Sequence, residues 1–307
     1  MYRVLLSVMV YGLFIVACSG SMATVLPATS IPPSPTEIPS PSPAPVTLLA
    51  EKDLETQTGT SYSLDWSPDG ETLAVASGVE ITLLSGDLGD VIAVLKPSSG
   101  ALTAVWNPEQ TKFATVVGAR NPKITFWNWD HTGLQLTQDQ QISAGYDQYG
   151  VSWSPDGKLL ATLANDRKSV IQIWDTNTWK LLNKYDLPYA IPRRALIWSA
   201  DSKTVYDSGD LDDWAIFFGL NVEDGSVQEL GKLPTEQVYA FTISPDSKWI
   251  AVVDESGKVQ IIEVGTGNLL TEFQSVSEPV DLGWNPTNMT LAILGYKTEL
   301  QLWSVAQ

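Results

Sequence analysis

One histidine and one cysteine stand in 307 residues, and these scarcities remove much of the side-chain chemistry that catalysis and metal binding draw on. With His131 alone, the chain cannot build a histidine-based metal site, and a Ser-His-Asp triad would have to recruit that single residue. With Cys18 alone, an intrachain disulfide is excluded. Positive charge is also scarce: 18 Lys and Arg oppose 35 Asp and Glu, a net charge of −17. A chain this acidic repels a polyanion as a whole, which argues against nucleic acid as a partner. The most apolar stretch, Val4 to Val16, is broken by Ser7 and Gly12 and is too short to span a bilayer as a helix.

That stretch follows Met1-Tyr2-Arg3 and reads as an export signal. It closes on Ile15-Val16-Ala17-Cys18, which resembles the lipobox of bacterial lipoproteins. The resemblance implies a signal peptide over 1–17, a lipid on Cys18 and attachment to the outer face of a membrane. An ordinary signal peptide with an incidental cysteine is the alternative. Ser19 follows Cys18, so the aspartate associated with retention in the inner membrane of two-membrane bacteria is absent. From Cys18 to Pro45 the composition shifts to Pro, Ser, Thr and Ala, as in Pro39-Ser40-Pro41-Ser42-Pro43. Such a segment has too few apolar side chains to offset its ordering entropy and is expected to be a disordered, extended linker. At about 3.1 Å per residue it would reach roughly 80 Å.

The remaining residues, 46–307, carry an internal repeat. Its anchors are Leu64-Asp65-Trp66-Ser67-Pro68-Asp69-Gly70, Ala104-Val105-Trp106-Asn107-Pro108, Val151-Ser152-Trp153-Ser154-Pro155-Asp156-Gly157, Leu196-Ile197-Trp198-Ser199-Ala200-Asp201, Phe241-Thr242-Ile243-Ser244-Pro245-Asp246 and Leu282-Gly283-Trp284-Asn285-Pro286. Successive anchors are 40, 47, 45, 45 and 41 residues apart, the length of a four-stranded propeller blade. Each anchor is an apolar strand running into a turn, where Pro presets φ, Asp or Ser caps and Gly accepts φ > 0. A near-continuous apolar second strand follows, such as Leu73-Ala74-Val75-Ala76, as expected of strands buried between blades. The sixth repeat has only three strands before Gln307, and the segment from Val46 to Leu54 belongs to no repeat. The expected fold is therefore an all-β, six-bladed propeller closed by this N-terminal strand, which removes an exposed sheet edge.

The run Ile171-Gln172-Ile173-Trp174-Asp175 and the recurring Ser-Pro-Asp-Gly resemble WD-repeat propellers, and six Trp-Ser-Pro-Asp-Gly-like anchors are also similar to the TolB-type propellers of bacterial envelopes. The Gly-His dipeptide of typical WD repeats is missing throughout. The resemblance implies a binding platform rather than an enzyme, with no cofactor.

Two sets of residues are candidates for function. Asp207, Asp210, Asp212 and Asp213 are expected in the loop between the second and third strands of blade four, where such spacing can wrap a hard cation or form a solvated acidic turn. A hydrolase or lyase with a carboxylate or calcium site in the central channel is the corresponding alternative function. The second set consists of Arg120, Tyr146, Tyr149, Arg167, Lys168, Tyr189, Arg193, Arg194, Tyr239 and Tyr296, expected in the loops on the ring's top face, defined as the face where each first strand begins. Arg and Tyr are enriched in recognition surfaces, and Arg suits carboxylate or phosphate contacts. The expected partner is a protein, a peptide or an anionic envelope group, besides the membrane itself. Most of the twelve tryptophans fall in register across the repeats and are expected to pack between blades.

Overall fold

A computed structural model describes residues 45–306, apart from 56–59, 61, 99, 117–122, 131, 133–134, 144–146, 166–168, 189–194 and 235–237. Among the described residues every regular element is a β-strand, and the strands form six four-stranded antiparallel sheets. Blade one holds β2 (Ser63–Trp66), β3 (Thr72–Ala76), β4 (Ile81–Ser85) and β5 (Val91–Leu95). Blade two holds β6 (Thr103–Trp106), β7 (Lys112–Val116), β8 (Lys123–Asp130) and β9 (Gln135–Ser143), and blade three β10 (Asp147–Trp153), β11 (Leu159–Asn165), β12 (Ser169–Asp175) and β13 (Leu181–Asp186). Blade four holds β14 (Ile197–Trp198), β15 (Thr204–Leu211), β16 (Trp214–Asn221) and β17 (Val227–Pro234), and blade five β18 (Ala240–Ile243), β19 (Trp249–Val253), β20 (Lys258–Glu263) and β21 (Leu269–Gln274). Blade six is β22 (Pro279–Trp284), β23 (Thr290–Gly295) and β24 (Glu299–Val305), completed on its outer side by β1 (Val46–Asp53).

The closure expected from the repeat count is thus present. β1 runs antiparallel to β24, with Val46 opposite Val305 and Asp53 opposite Glu299. The Pro45 carbonyl accepts the Ala306 amide at 3.0 Å. Because β24 descends from the top face, Val46 lies at the bottom, and the chain enters the ring there.

The core is divided into six slabs, one per blade interface, as expected when both faces of each sheet are apolar. Between blades one and two, Phe113 is fully buried and stacks on Trp106 with ring centroids 4.1 Å apart. The in-register tryptophans pack as expected, and several are also tethered by hydrogen bonds. Trp127 and Trp174 donate to Thr115 and Thr162 on the neighbouring strand at 2.9 and 3.1 Å.

The bottom turns explain why Ser and Asp recur. In blade four the Ser199 hydroxyl donates to Asp201 at 2.6 Å and accepts the Thr204 amide at 2.9 Å, while Asp201 accepts the Lys203 amide. Ser67/Asp69, Ser154/Asp156 and Ser244/Asp246 repeat that network. Blade two replaces it with one asparagine, Asn107, which accepts the amides of Thr111 and Lys112, and blade six with two, Asn285 accepting the Thr287 amide and Asn288 the Thr290 amide. Gly70 has φ of 74°, and the Asn285 amide donates to its carbonyl at 2.9 Å, so a side chain there would meet both backbone strain and Asn285.

One regularity was not legible in the repeat. Each outer strand slips by one residue against its partner at the same place, leaving Leu49, Ile92, Asp139, Leu182, Leu230 and Leu270 unpaired in the six ladders. A bulge on an edge strand raises its twist and spoils its hydrogen-bonding edge as a template for another chain. This protects six edges that otherwise expose such residues as Leu49, Val91 and Leu182.

Candidate functional site

The first strands of the blades enclose a cavity of about 1030 Å³ that runs the length of the ring axis. Pleat alternation turns two levels of residues toward it. One residue before the anchor aromatic stand Asp65, Val105, Ser152, Ile197, Thr242 and Gly283, and two residues higher are Ser63, Ala195, Ala240 and Asp281 among others. At these two levels the first strands are therefore small and weakly polar except at two carboxylates, on blades one and six.

Both carboxylates also strap neighbouring blades together. The Trp106 amide of blade two donates to Asp65 Oδ2 at 2.7 Å, and the Leu64 amide of blade one donates to Asp281 Oδ2 at 2.9 Å. Asp281 Oδ1 accepts the Leu282 amide at 2.9 Å. Burial pushes the Asp65 carboxyl up to about 8; the Trp106 hydrogen bond works against this shift and the charge of Asp281 adds to it. The bottom aspartates behave in the opposite way. The Ser199 hydroxyl and the Lys203 amide hold Asp201 below the usual carboxylate range.

At the upper mouth the lining becomes aromatic. Tyr62 and Tyr296, on blades one and six, meet edge to face with centroids 6.2 Å apart. Tyr239 of blade five is 47% exposed and Tyr296 41%. From blade four, Tyr206 and Asp210 face the cavity from one side of β15. The β15–β16 hairpin ends in exposed Leu211 and Trp214, with Lys232 lying 4.8 Å over the Trp214 ring.

Of the residues the sequence singles out, Tyr239 and Tyr296 are brought together at this mouth. Arg120, Tyr146, Arg167, Lys168, Tyr189, Arg193 and Arg194 lie outside the described residues, as do Cys18 and His131. Tyr149 is not in a loop: its backbone belongs to β10, where the register slips between Gln148 and Gly150. The acidic set is also relocated. Asp207 and Asp210 are within β15, paired with Phe218 and Ala215, and only Asp212 and Asp213 form the two-residue turn. Three residues apart on a strand, Asp207 and Asp210 point to opposite faces, Asp207 being fully buried and Asp210 lining the channel. Strand two of blade four is longer than its counterpart in most other blades, which is why a loop was expected there. Among the described residues no group of three or more His, Cys, Asp or Glu is placed to hold a metal ion. Sequence reasoning passed over Asp65 and Asp281; aligning the repeats by depth below the mouth, where the other blades carry Ser, Thr, Val, Ile or Ala, is the signal that exposes them.

Comparisons with known proteins agree with this architecture. The family profile described as eukaryotic translation initiation factor eIF2A matches residues 89–208. Protein HIR1 of Cryptococcus neoformans is 24% identical over 222 residues, which is 61% of this chain and 24% of that protein. Apoptotic protease-activating factor 1 of Rattus norvegicus is 21% identical over 242 residues, 78% of this chain and 18% of that protein. Actin-interacting protein 1 of Drosophila melanogaster is 23% identical over 264 residues, 81% and 41% of the two chains. Among solved structures, the β-propeller domain of Cps50 (Swd1) from Myceliophteria thermophila matches with a TM-score of 0.58 at 16% identity, covering 80% of this chain and 83% of that one. Fold and repeats together define a β-propeller of the WD-repeat type. The chain spans a quarter or less of HIR1 and of the protease-activating factor, so its likeness to them is that of a propeller to part of a longer protein.

Proposed function

We propose that the protein is a lipid-anchored, extracytoplasmic docking module that binds a protein partner through its top face. The observation that carries this reading is the composition of the mouth. Exposed Val79, Tyr296, Tyr239, Leu211 and Trp214 come from four consecutive blades, one, six, five and four, on the top face, and Tyr239 and Tyr296 line the channel opening. Aromatic side chains supply large contact area at low entropic cost, which suits a recognition surface. The likeness to proteins such as actin-interacting protein 1 supports a binding role. The Arg-bearing loops of blades two to four would extend the same face. Anchoring rests on the Ile15-Val16-Ala17-Cys18 motif, and the proline-rich linker would spare the ring from contact with the membrane. Since the chain enters the ring from below, a tether attached at Val46 would leave the mouth free for a partner.

The test compares the full chain with Tyr239→Ala/Tyr296→Ala, with Arg193→Ala/Arg194→Ala, and with Lys158→Ala on the bottom face, after cross-linking in the cells that produce it. Top-face variants are expected to lose a partner that wild type and Lys158→Ala retain. Equal recovery of every partner by all four would reject the assignment. Labelled fatty acid is expected to enter wild type and not Cys18→Ala, and labelling of neither would reject the anchor.

A further inference from the structure

The cavity does more than open beneath the aromatic mouth, because its carboxylates are arranged at successive depths. Asp65 and Tyr206 share the lowest level, Tyr206 pairing with Ile197, which occupies the Asp65 position of blade four. Asp281 sits two residues higher on its strand, and Asp210 four residues above Tyr206 on β15. At about 3.3 Å per residue, the levels are separated by roughly 6–7 Å of strand each. Among the described residues lining this cavity there is no Lys, Arg or His.

Asp65 is the member whose position is hardest to explain by structure alone. Its Oδ2 holds the Trp106 amide, a task an uncharged Asn would perform equally well, and the other blades put Val, Ser, Ile, Thr or Gly at that level. Asp65 lines the cavity, and among the described residues the Trp106 amide is the hydrogen-bond donor to its carboxyl. A second acid lies near enough to disfavour its charge. A cavity of about 1030 Å³, at the upper end of the usual range of about 300–1,000 Å³ for ligand sites, with Tyr62, Tyr239 and Tyr296 at its mouth and acids at intervals along it, matches one chemistry. A cation can take the place of the proton that such a buried carboxyl retains, and a tyrosine ring attracts one.

We propose that the channel binds a slender organic cation, an alkylammonium chain with charges spaced along its length, entering between Tyr62, Tyr239 and Tyr296 and pairing with Asp65 at its deepest point. The proposal rests on the top face being the recognition surface and supplies the ligand class for its centre. Such a cation can be free, as a polyamine, or carried by a lysine-bearing segment of a docked protein; the chemistry at Asp65 is the same.

Calorimetry with the full chain and spermidine tests it, at moderate salt so that loose association with the acidic surface is screened. Saturable one-site binding is expected, weakened at least tenfold by Asp65→Asn, which keeps an acceptor for the Trp106 amide, and unchanged by Asp87→Asn on an exposed bottom turn. The neutral chain 1,8-octanediol is expected to bind at least tenfold more weakly. Lack of saturable binding by wild type, or equal affinity in wild type and Asp65→Asn, overturns the proposal. Competition by a short lysine-bearing peptide would support it with the docked partner as the source, and spermidine binding without such competition would support it with a free polyamine. Thermal melts of Asp65→Asn confirm that any loss is local. Partner capture by the top face is scored separately: capture that persists without spermidine binding sinks the cation and leaves the docking surface standing.

Discussion

The two faces of the ring are built from the same repeats by opposite rules. On the bottom, four of the six anchor turns close with the same Ser-Asp network, and the other two close on asparagines, Asn107 in blade two and Asn285 with Asn288 in blade six. Their polar groups bond within the turn or to the turn of the next blade, and none of the exposed large apolar side chains among the described residues lies in these six turns. On the top, no two described blades close alike: blade four raises a hairpin tipped with Trp214, blade six offers Tyr296, and blade one offers Val79. The difference separates what a repeat must keep in order to fold from what it is free to vary for binding. The acids divide along the same line, ionised aspartates serving the bottom turns and a carboxyl resisting ionisation standing in the channel.

Three measurements would sharpen or break that contrast. The largest effect belongs to neither face but to the slabs joining them. Phe113→Ala is expected to cost about 3–5 kcal/mol in urea unfolding, since a fully buried ring stacked on Trp106 leaves a cavity between blades one and two. A loss below about 1 kcal/mol would mean that the interface collapses readily and that the blades are less rigidly spaced than the packing indicates.

The second concerns pH. The folded-state value for Asp65 is raised from 3.8 to about 8, so its contribution to stability is complete below 3.8 and is lost as pH rises through about 8. The folded-state value for Asp201 is lowered from 3.8, so its contribution is present above 3.8 and lost as pH falls below it. Scanning calorimetry from about pH 4 to 9 is expected to show a melting temperature that declines with pH in wild type and declines less in Asp65→Asn. Identical slopes would remove the distinction between channel and turn acids. The smallest effect is Ser199→Ala, expected to cost about 1 kcal/mol as the turn loses its hydroxyl bridge. A larger loss would show that the bottom turns help set blade spacing as well as closing hairpins.

Much of the frame was legible because its physics is local and repeated. Ser-Pro-Asp-Gly names its own turn, unbroken apolar strands announce burial on both faces, and a sixth repeat short of one strand points to Val46–Asp53 as the missing piece. The site was less legible because it is assembled across the ring. Asp65 and Asp281 are 216 positions apart, and their neighbourhood exists only because the last blade closes against the first. Asp207 and Asp210 mislead for a related reason. Acids clustered in sequence suggest a loop that gathers them, whereas a strand sends them to opposite faces.

The β1–β24 seam has a mechanical consequence. If the residues ahead of Val46 act as the proposed tether, a partner gripping the mouth and a pull applied at Val46 would load the ring in opposite directions. The load on β1 then runs along the strand, so the seven residue pairs from Val46/Val305 to Asp53/Glu299 share the force and must slide together before any parts. Had the chain entered from the top, the same pull would have peeled those pairs away one after another. The place where the ring is joined is thus oriented to resist being opened by the tension that holding on to a partner would create.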